Sequence, residues 1–138
     1  MKRTLILGGG TGGVVAANIL KKNVGTSMKV TPVDREPYHL YASSYPKVIV
    51  GEREPKAITP KLKNLEKKRI EFRNYEVKEL DLAGSKVITD HGDFDYDYLI
   101  ISLGVEYHPE SVPGLKKYVL NPYDYQDTIK INEQLNNF

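Results

Sequence analysis

The glycine-rich turn between residues 8 and 13 constrains this chain more than any other feature. The segment Ile6-Leu7-Gly8-Gly9-Gly10-Thr11-Gly12-Gly13-Val14-Val15-Ala16 carries the Gly-x-Gly-x-x-Gly spacing. It lies between a short apolar run, Thr4–Leu7, that reads as a strand and a longer one, Val14–Leu20, that reads as a helix. Each glycine has its own reason to lack a side chain. Gly8 allows the tight turn, Gly10 lets a pyrophosphate approach the backbone, and Gly13 lets the helix pack against the strand. The free N–H groups and positive dipole end of that helix then make a ready anion site.

A ribose-binding acid is expected at the end of the second strand. Met28–Val33 reads as that strand, and Asp34 closes it, 21 positions after Gly13. Turn and acid together point to the ADP half of a dinucleotide. The charge of Asp34 disfavours a 2′-phosphate, although Arg35 beside it acts in the opposite direction. FAD, NAD(P) and other ADP-containing ligands all remain open on these residues. Pro32 lies inside the strand, and because proline cannot donate a ladder hydrogen bond a local distortion is expected there.

Residues 34–54 show no clear period and contain Pro37, Pro46 and several tyrosines, the pattern of a long excursion that is functional or mobile. Pro55–Arg69 has helical spacing through Ile58, Leu62 and Leu65, and Ile70, Phe72 and Tyr75 then begin a further strand. From Val77 the texture becomes short and alternating. Strands are expected at Val77–Leu82, Lys86–Thr89 and Phe94–Tyr98, with turns at Ala83-Gly84 and His91-Gly92, the signal of an antiparallel meander. Tyr98–Gly104 is nearly continuously apolar and suits a buried parallel strand. Asn121-Pro122 offers a cap and first-turn proline for a last helix with Tyr125, Ile129 and Leu135 on one face. The fold class is therefore α/β: a Rossmann-like βαβ sheet with an inserted antiparallel β-meander.

Composition narrows the chemistry. A net charge of +2 is too small to argue for nucleic acid, and Glu66 and Glu71 interrupt the densest basic group, Lys61, Lys63, Lys67, Lys68 and Arg69, which reads as a solvated surface. With no cysteine, the chain can carry no disulfide, thiolate metal site or dithiol chemistry of its own. His39, His91 and His108 are scattered and suit loop or turn roles rather than a metal site. Most of the ten tyrosines suit packing, with Tyr38 and Tyr41 the two to watch. Neither a signal peptide nor a membrane span is visible, so a cytoplasmic location is expected, with any membrane association through a partner.

The order of elements resembles the FAD-dependent pyridine nucleotide–disulfide oxidoreductase superfamily, and within it the sulfide:quinone oxidoreductases and type-II NADH dehydrogenases. Four stretches carry the resemblance: residues 6–13; Asp34-Arg35-Glu36-Pro37-Tyr38 continuing through Ser44-Tyr45-Pro46 to Arg53; Tyr96–Gly104; and Val112-Pro113-Gly114-Leu115. The resemblance implies FAD, with the glycine turn (Gly8, Gly10, Thr11, Gly12, Gly13) on its pyrophosphate and Asp34, beside Arg35, on the adenosine ribose. It implies that the backbone at Val77 meets the adenine edge and that Ser102-Leu103-Gly104 passes near the phosphate arm. Ser44 matches a segment near the flavin ring, while Ser43 stands where relatives often carry proline.

The expected organisation is an FAD-binding segment over residues 1–115, with residues 116–138 as linker and helix leading toward a second dinucleotide-binding domain absent from this chain. Such a chain is expected to be incomplete for catalysis alone. A second subunit or self-association would complete the flavin site, and quinone or NAD(P)H would act only in a complete enzyme. The alternatives are a non-catalytic NAD(P)- or ADP-binding module and a regulatory subunit.

Overall fold

In the computed structural model, which describes residues 1–138, the apolar run before the glycines is the central strand of a parallel sheet. Strand β1 (Lys2–Leu7) pairs with β2 (Met28–Val33) on one side and with β6 (Tyr98–Ile101) on the other. Both faces of β1 are covered from Thr4 onward, which accounts for the unbroken apolar run Leu5–Leu7. Ile6 and, from β2, Val30 pack with Ala17 of helix α1 (Thr11–Val24), while Leu5, Leu7 and Val33 point the other way. The α1 residues Val14, Ala17, Leu20 and Val24 recur at helical spacing on that first face. Gly25 ends the helix at a positive φ of 54°, its N–H donating to Lys21 O at 3.1 Å.

The opposite face of the sheet receives the meander. Strands β3 (Val77–Asp81), β4 (Lys86–Thr89) and β5 (Gly92–Asp95) form a separate antiparallel sheet in the order β3-β4-β5. Val87 is fully buried from it against Leu5, Leu7 and Val33, with Val77, Leu80 and Phe94 around them. The third strand begins and ends earlier than the expected Phe94–Tyr98, and Tyr98 opens β6 instead.

Several expectations need correction. Strand β2 keeps an unbroken register with β1 through Pro32, with no distortion. The Pro32 carbonyl accepts from Arg73 N–H at 2.9 Å, so the proline's backbone faces the outer edge, where its missing N–H costs β1 nothing. That same missing donor explains why residues 70–75 do not form a strand. Glu71 N–H donates to Val30 O and Asp34 N–H to Arg73 O, each at 3.1 Å, but the rung that Pro32 would give to the Glu71 carbonyl is absent. Only an isolated parallel bridge, Val33–Arg73, remains.

Pro55–Arg69 is not one helix but two 3₁₀ segments, Pro55–Ile58 and Leu62–Lys68. Pro60 disfavours helical backbone at Thr59 and breaks the run. Strand β6 is an edge strand, and Tyr98 and Ile101 are more than half exposed rather than buried.

An ion-pair cluster fastens residues 71–73 to the β2 edge of the sheet. Lys29 Nζ lies 2.6 Å from one Glu71 oxygen, and Arg73 Nη2 meets the other. Partial burial alone would push the Glu71 carboxyl up, but the hydrogen bond and charge of Lys29, joined by Arg73, outweigh it and hold the carboxyl below its ordinary 4.5. A carboxylate depressed in the folded state stabilises the fold above its unfolded pKa, and that contribution is lost as pH falls through the folded value. Glu71→Gln should therefore be less stable than the parent at neutral pH, with the gap closing below about pH 4. Urea midpoints measured from pH 7 to pH 3 check this; a gap that stays constant would contradict it.

The structure divides into two compact units: residues 1–39 with 61–104, described above, and residues 40–60 with 105–138. The second unit contains α2 (Tyr45–Ile49), α3 (Leu115–Tyr118) and α4 (Tyr125–Asn136). Its core is Tyr45, Val48 and Ile58, with Tyr125 packed against them. Helix α2 is too short to show a period in the sequence. The cap of α4 is Asp124, whose carboxylate accepts from Asp127 N–H at 2.9 Å, and not Asn121, whose side chain accepts from Tyr123 N–H instead.

Candidate nucleotide-binding site

The carboxyl ends of the three parallel strands converge on the glycine turn. Gly8 N–H donates to Val33 O at the end of β2, and Ser102, just past β6, donates to Leu7 O from both its N–H and its hydroxyl, at 2.8 and 3.0 Å. Ligands of open α/β sheets bind in this position, outside the carboxyl ends of the strands.

The glycines differ sharply in what surrounds them. A Cβ on Gly8, whose φ is +108°, would stand 2.2 Å from Ser102 O, and one on Gly13 would stand 1.8 Å from Gly8 O. A Cβ on Gly10 would meet nothing within 4 Å. Gly8 and Gly13 are therefore required by packing, whereas Gly10 lies open. Gly10, Thr11 and Gly12 are exposed, and Gly13 is buried. Gly10 caps α1 without any side-chain hydrogen bond, and the first turn holds no acidic residue. The leading N–H groups of a helix have no intrahelical acceptors, so this end offers donors and positive potential to an anion.

Asp34 is already engaged within the turn. Its Oδ2 accepts from Gly9 N–H, and its Oδ1 accepts from Glu36 N–H at 2.7 Å. A carboxylate has about four acceptor positions, so both oxygens retain capacity for hydroxyl donors. Arg35 is exposed, and its carbonyl accepts from Asn74 Nδ2 at 2.8 Å. Val77 opens β3 opposite Thr89, with its side chain in the core beneath the meander. Leu103 is more than half exposed, and Gly104 takes a positive φ of 81°. Ser44 belongs to the second unit, where its buried hydroxyl accepts from Arg53 Nη1 at 3.3 Å. Tyr38 lines a cavity of about 390 Å³ with Lys61, Phe72, Arg73 and Asn74.

Two residues, Gly9 within the turn and His39 against it, escape sequence reasoning. A Cβ on Gly9 would stand 2.4 Å from Leu62 Cδ1, so a side chain here would have to displace that buried leucine. The Gly9 carbonyl lies 3.0 Å from His39 Nδ1. No spacing rule links a glycine to a histidine 30 positions away.

Parallel strands, a glycine turn opening a helix and an acid at the neighbouring strand end define a Rossmann-like nucleotide-binding unit. The chain belongs to the pyridine nucleotide-disulphide oxidoreductase family, which it matches over residues 2–137. Proteins of this family are FAD-dependent flavoproteins. A type II NADH:quinone oxidoreductase of Staphylococcus haemolyticus is 26% identical over 136 residues, 97% of this chain and 34% of that protein. A sulfide-quinone reductase of Aquifex aeolicus is 32% identical over 105 residues, 75% of this chain and 24% of that protein. The crystal structure of the Aquifex aeolicus sulfide:quinone oxidoreductase superposes with a TM-score of 0.87 at 25% identity, covering 99% of this chain and 32% of the other. The chain thus spans about a third or less of the length of these relatives. No helix is long and apolar enough to cross a membrane.

Proposed function

We propose that this chain is the FAD-binding portion of a flavin-dependent oxidoreductase of the sulfide:quinone or NADH:quinone kind. The observation that carries the reading is the open cradle at Gly10, at a helix start rich in unpaired donors, with the Asp34 carboxylate beside it. The residues fit the group: a diphosphate needs backbone N–H donors and the absence of a side chain, and a ribose needs a carboxylate acceptor.

In this reading Gly10, Thr11 and Gly12 hold the pyrophosphate, with Gly8 and Gly13 shaping the turn. Asp34 takes the adenosine ribose, with Arg35 flanking it. The Val77 backbone borders the adenine, and Ser102-Leu103-Gly104 borders the phosphate arm. The flavin supplies the electron or hydride chemistry, while the protein supplies binding, orientation and electrostatics. Sulfide or NADH as donor and a quinone as acceptor follow from the relatives, and both belong to this proposal.

Calorimetric titration of the 138-residue chain tests it. ADP and FAD should each bind with one-to-one stoichiometry and compete, because both enter through the ADP half. Absence of binding by either would overturn the reading. A second reading, a non-catalytic NAD- or ADP-binding module, shares the same cradle and acid. A chain that takes ADP and NAD but never FAD would favour it.

A further inference from the structure

We propose that His39 is a positioning residue for the anion site: by holding the Gly9 carbonyl, it aims the Gly10 N–H at the diphosphate. The inference rests on the nucleotide reading of the glycine turn. A carbonyl oxygen can only accept, so the bond between His39 Nδ1 and Gly9 O, at 3.0 Å, places a proton on Nδ1. The Gly9–Gly10 peptide is trans and planar, so its carbonyl and its N–H point in opposite directions. Fixing the carbonyl therefore fixes the Gly10 N–H. On the other side of the same residue, Asp34 Oδ2 accepts from the Gly9 N–H. Both peptide planes flanking Gly9 are thus held by side chains, one from the end of β2 and one from the loop beyond it.

Three successive glycines make this restraint consequential. Residues 8–10 have no Cβ to resist rotation, and glycine populates both signs of φ. Rotation of the Gly9–Gly10 plane would replace a donor with a carbonyl oxygen facing the cradle. An anionic diphosphate would then meet a like partial charge instead of a hydrogen bond. His39 prevents that exchange from a position that need not touch the ligand.

The test compares side chains that differ in where they place a donor. Asparagine carries an amide nitrogen at the same number of bonds from Cα as His Nδ1; glutamine carries it one bond further, and leucine carries none. ADP affinity by calorimetry should fall about tenfold in His39→Leu and His39→Gln, the loss of one charge-assisted hydrogen bond. It should stay within about threefold of the parent in His39→Asn. In the ligand-free proteins, the Gly10 amide resonance should shift or broaden in the leucine and glutamine variants and return in the asparagine variant. Equal ADP affinity in all variants, or an asparagine variant as weak as leucine, would overturn the proposal. If the parent itself binds no ADP, the nucleotide reading fails, and the Gly10 resonance alone decides the peptide geometry: identical spectra in all variants would overturn it. If the leucine variant does not fold, glutamine against asparagine carries the comparison.

Discussion

Replacing Gly13 with alanine should unfold the chain or destabilise it by at least about 3 kcal/mol, the upper range for a forced steric insertion. The added Cβ would stand 1.8 Å from Gly8 O and 2.9 Å from Ser102 Oγ. The first obstacle is backbone, and it belongs to a turn tied to Val33 O by the Gly8 N–H. Relief requires α1 to retreat from the sheet, which strips contact from Ile6, Ala17 and Val30. Stabilities of native domains are only about 5–15 kcal/mol, so such a loss consumes much of the total. Gly12→Ala is the matched control, since its Cβ would meet Ser102 Cβ at an ordinary 3.5 Å. Urea denaturation of both variants, followed by circular dichroism, checks the contrast. A Gly13→Ala chain with the parent's midpoint would show that the turn has slack not visible in its geometry.

Gly10→Val should have the opposite profile: a folded domain that has lost its ligand. Its φ of −68° and ψ of −174° are open to any residue, and a Cβ there meets nothing within 4 Å. The change from glycine to valine at a helix cap costs about 1 kcal/mol at most. On the proposed reading, the valine methyls would instead occupy the space where the diphosphate approaches the backbone. ADP and FAD affinity should fall at least about tenfold, a loss of about 1.4 kcal/mol or more. Calorimetry paired with a urea midpoint separates the two effects. Parent-like affinity in a folded Gly10→Val chain would remove the diphosphate from this turn.

Where the sequence carried a strict period or a strict steric demand, the structure was legible in it. The glycine spacing, the end of β2 at Val33 and the switch to a meander at Val77 each rest on local rules that tertiary packing reinforces. The outer edge was not legible, because whether residues 70–75 pair as a strand depends on which way Pro32 faces, and alternation alone does not reveal that. Helix α2 spans only Tyr45–Ile49, less than two turns, so it leaves no period to detect. At the candidate site, the steric demands at Gly8 and Gly13 could be read from their spacing. The parts of Gly9 and His39 could not, since each depends on a neighbour brought in by the fold, Leu62 for one and the Gly9 carbonyl for the other.

The Asp34 carboxylate grips the Gly9 N–H and the Glu36 N–H within the protein itself. Its removal would take the partner from the part-buried Gly9 N–H whether or not a nucleotide ever arrives. If Asp34 also takes the ribose, as proposed, selection for a sound loop and selection for a ligand act on the same side chain and cannot be pulled apart by drift. A descendant that had abandoned its cofactor would still be held to an acid here, and attempts to retune ligand preference at this position would disturb the loop first. The signature can outlive the chemistry it signals, and the exposed, sterically idle Gly10 is the position where a lapse of function would be written earliest.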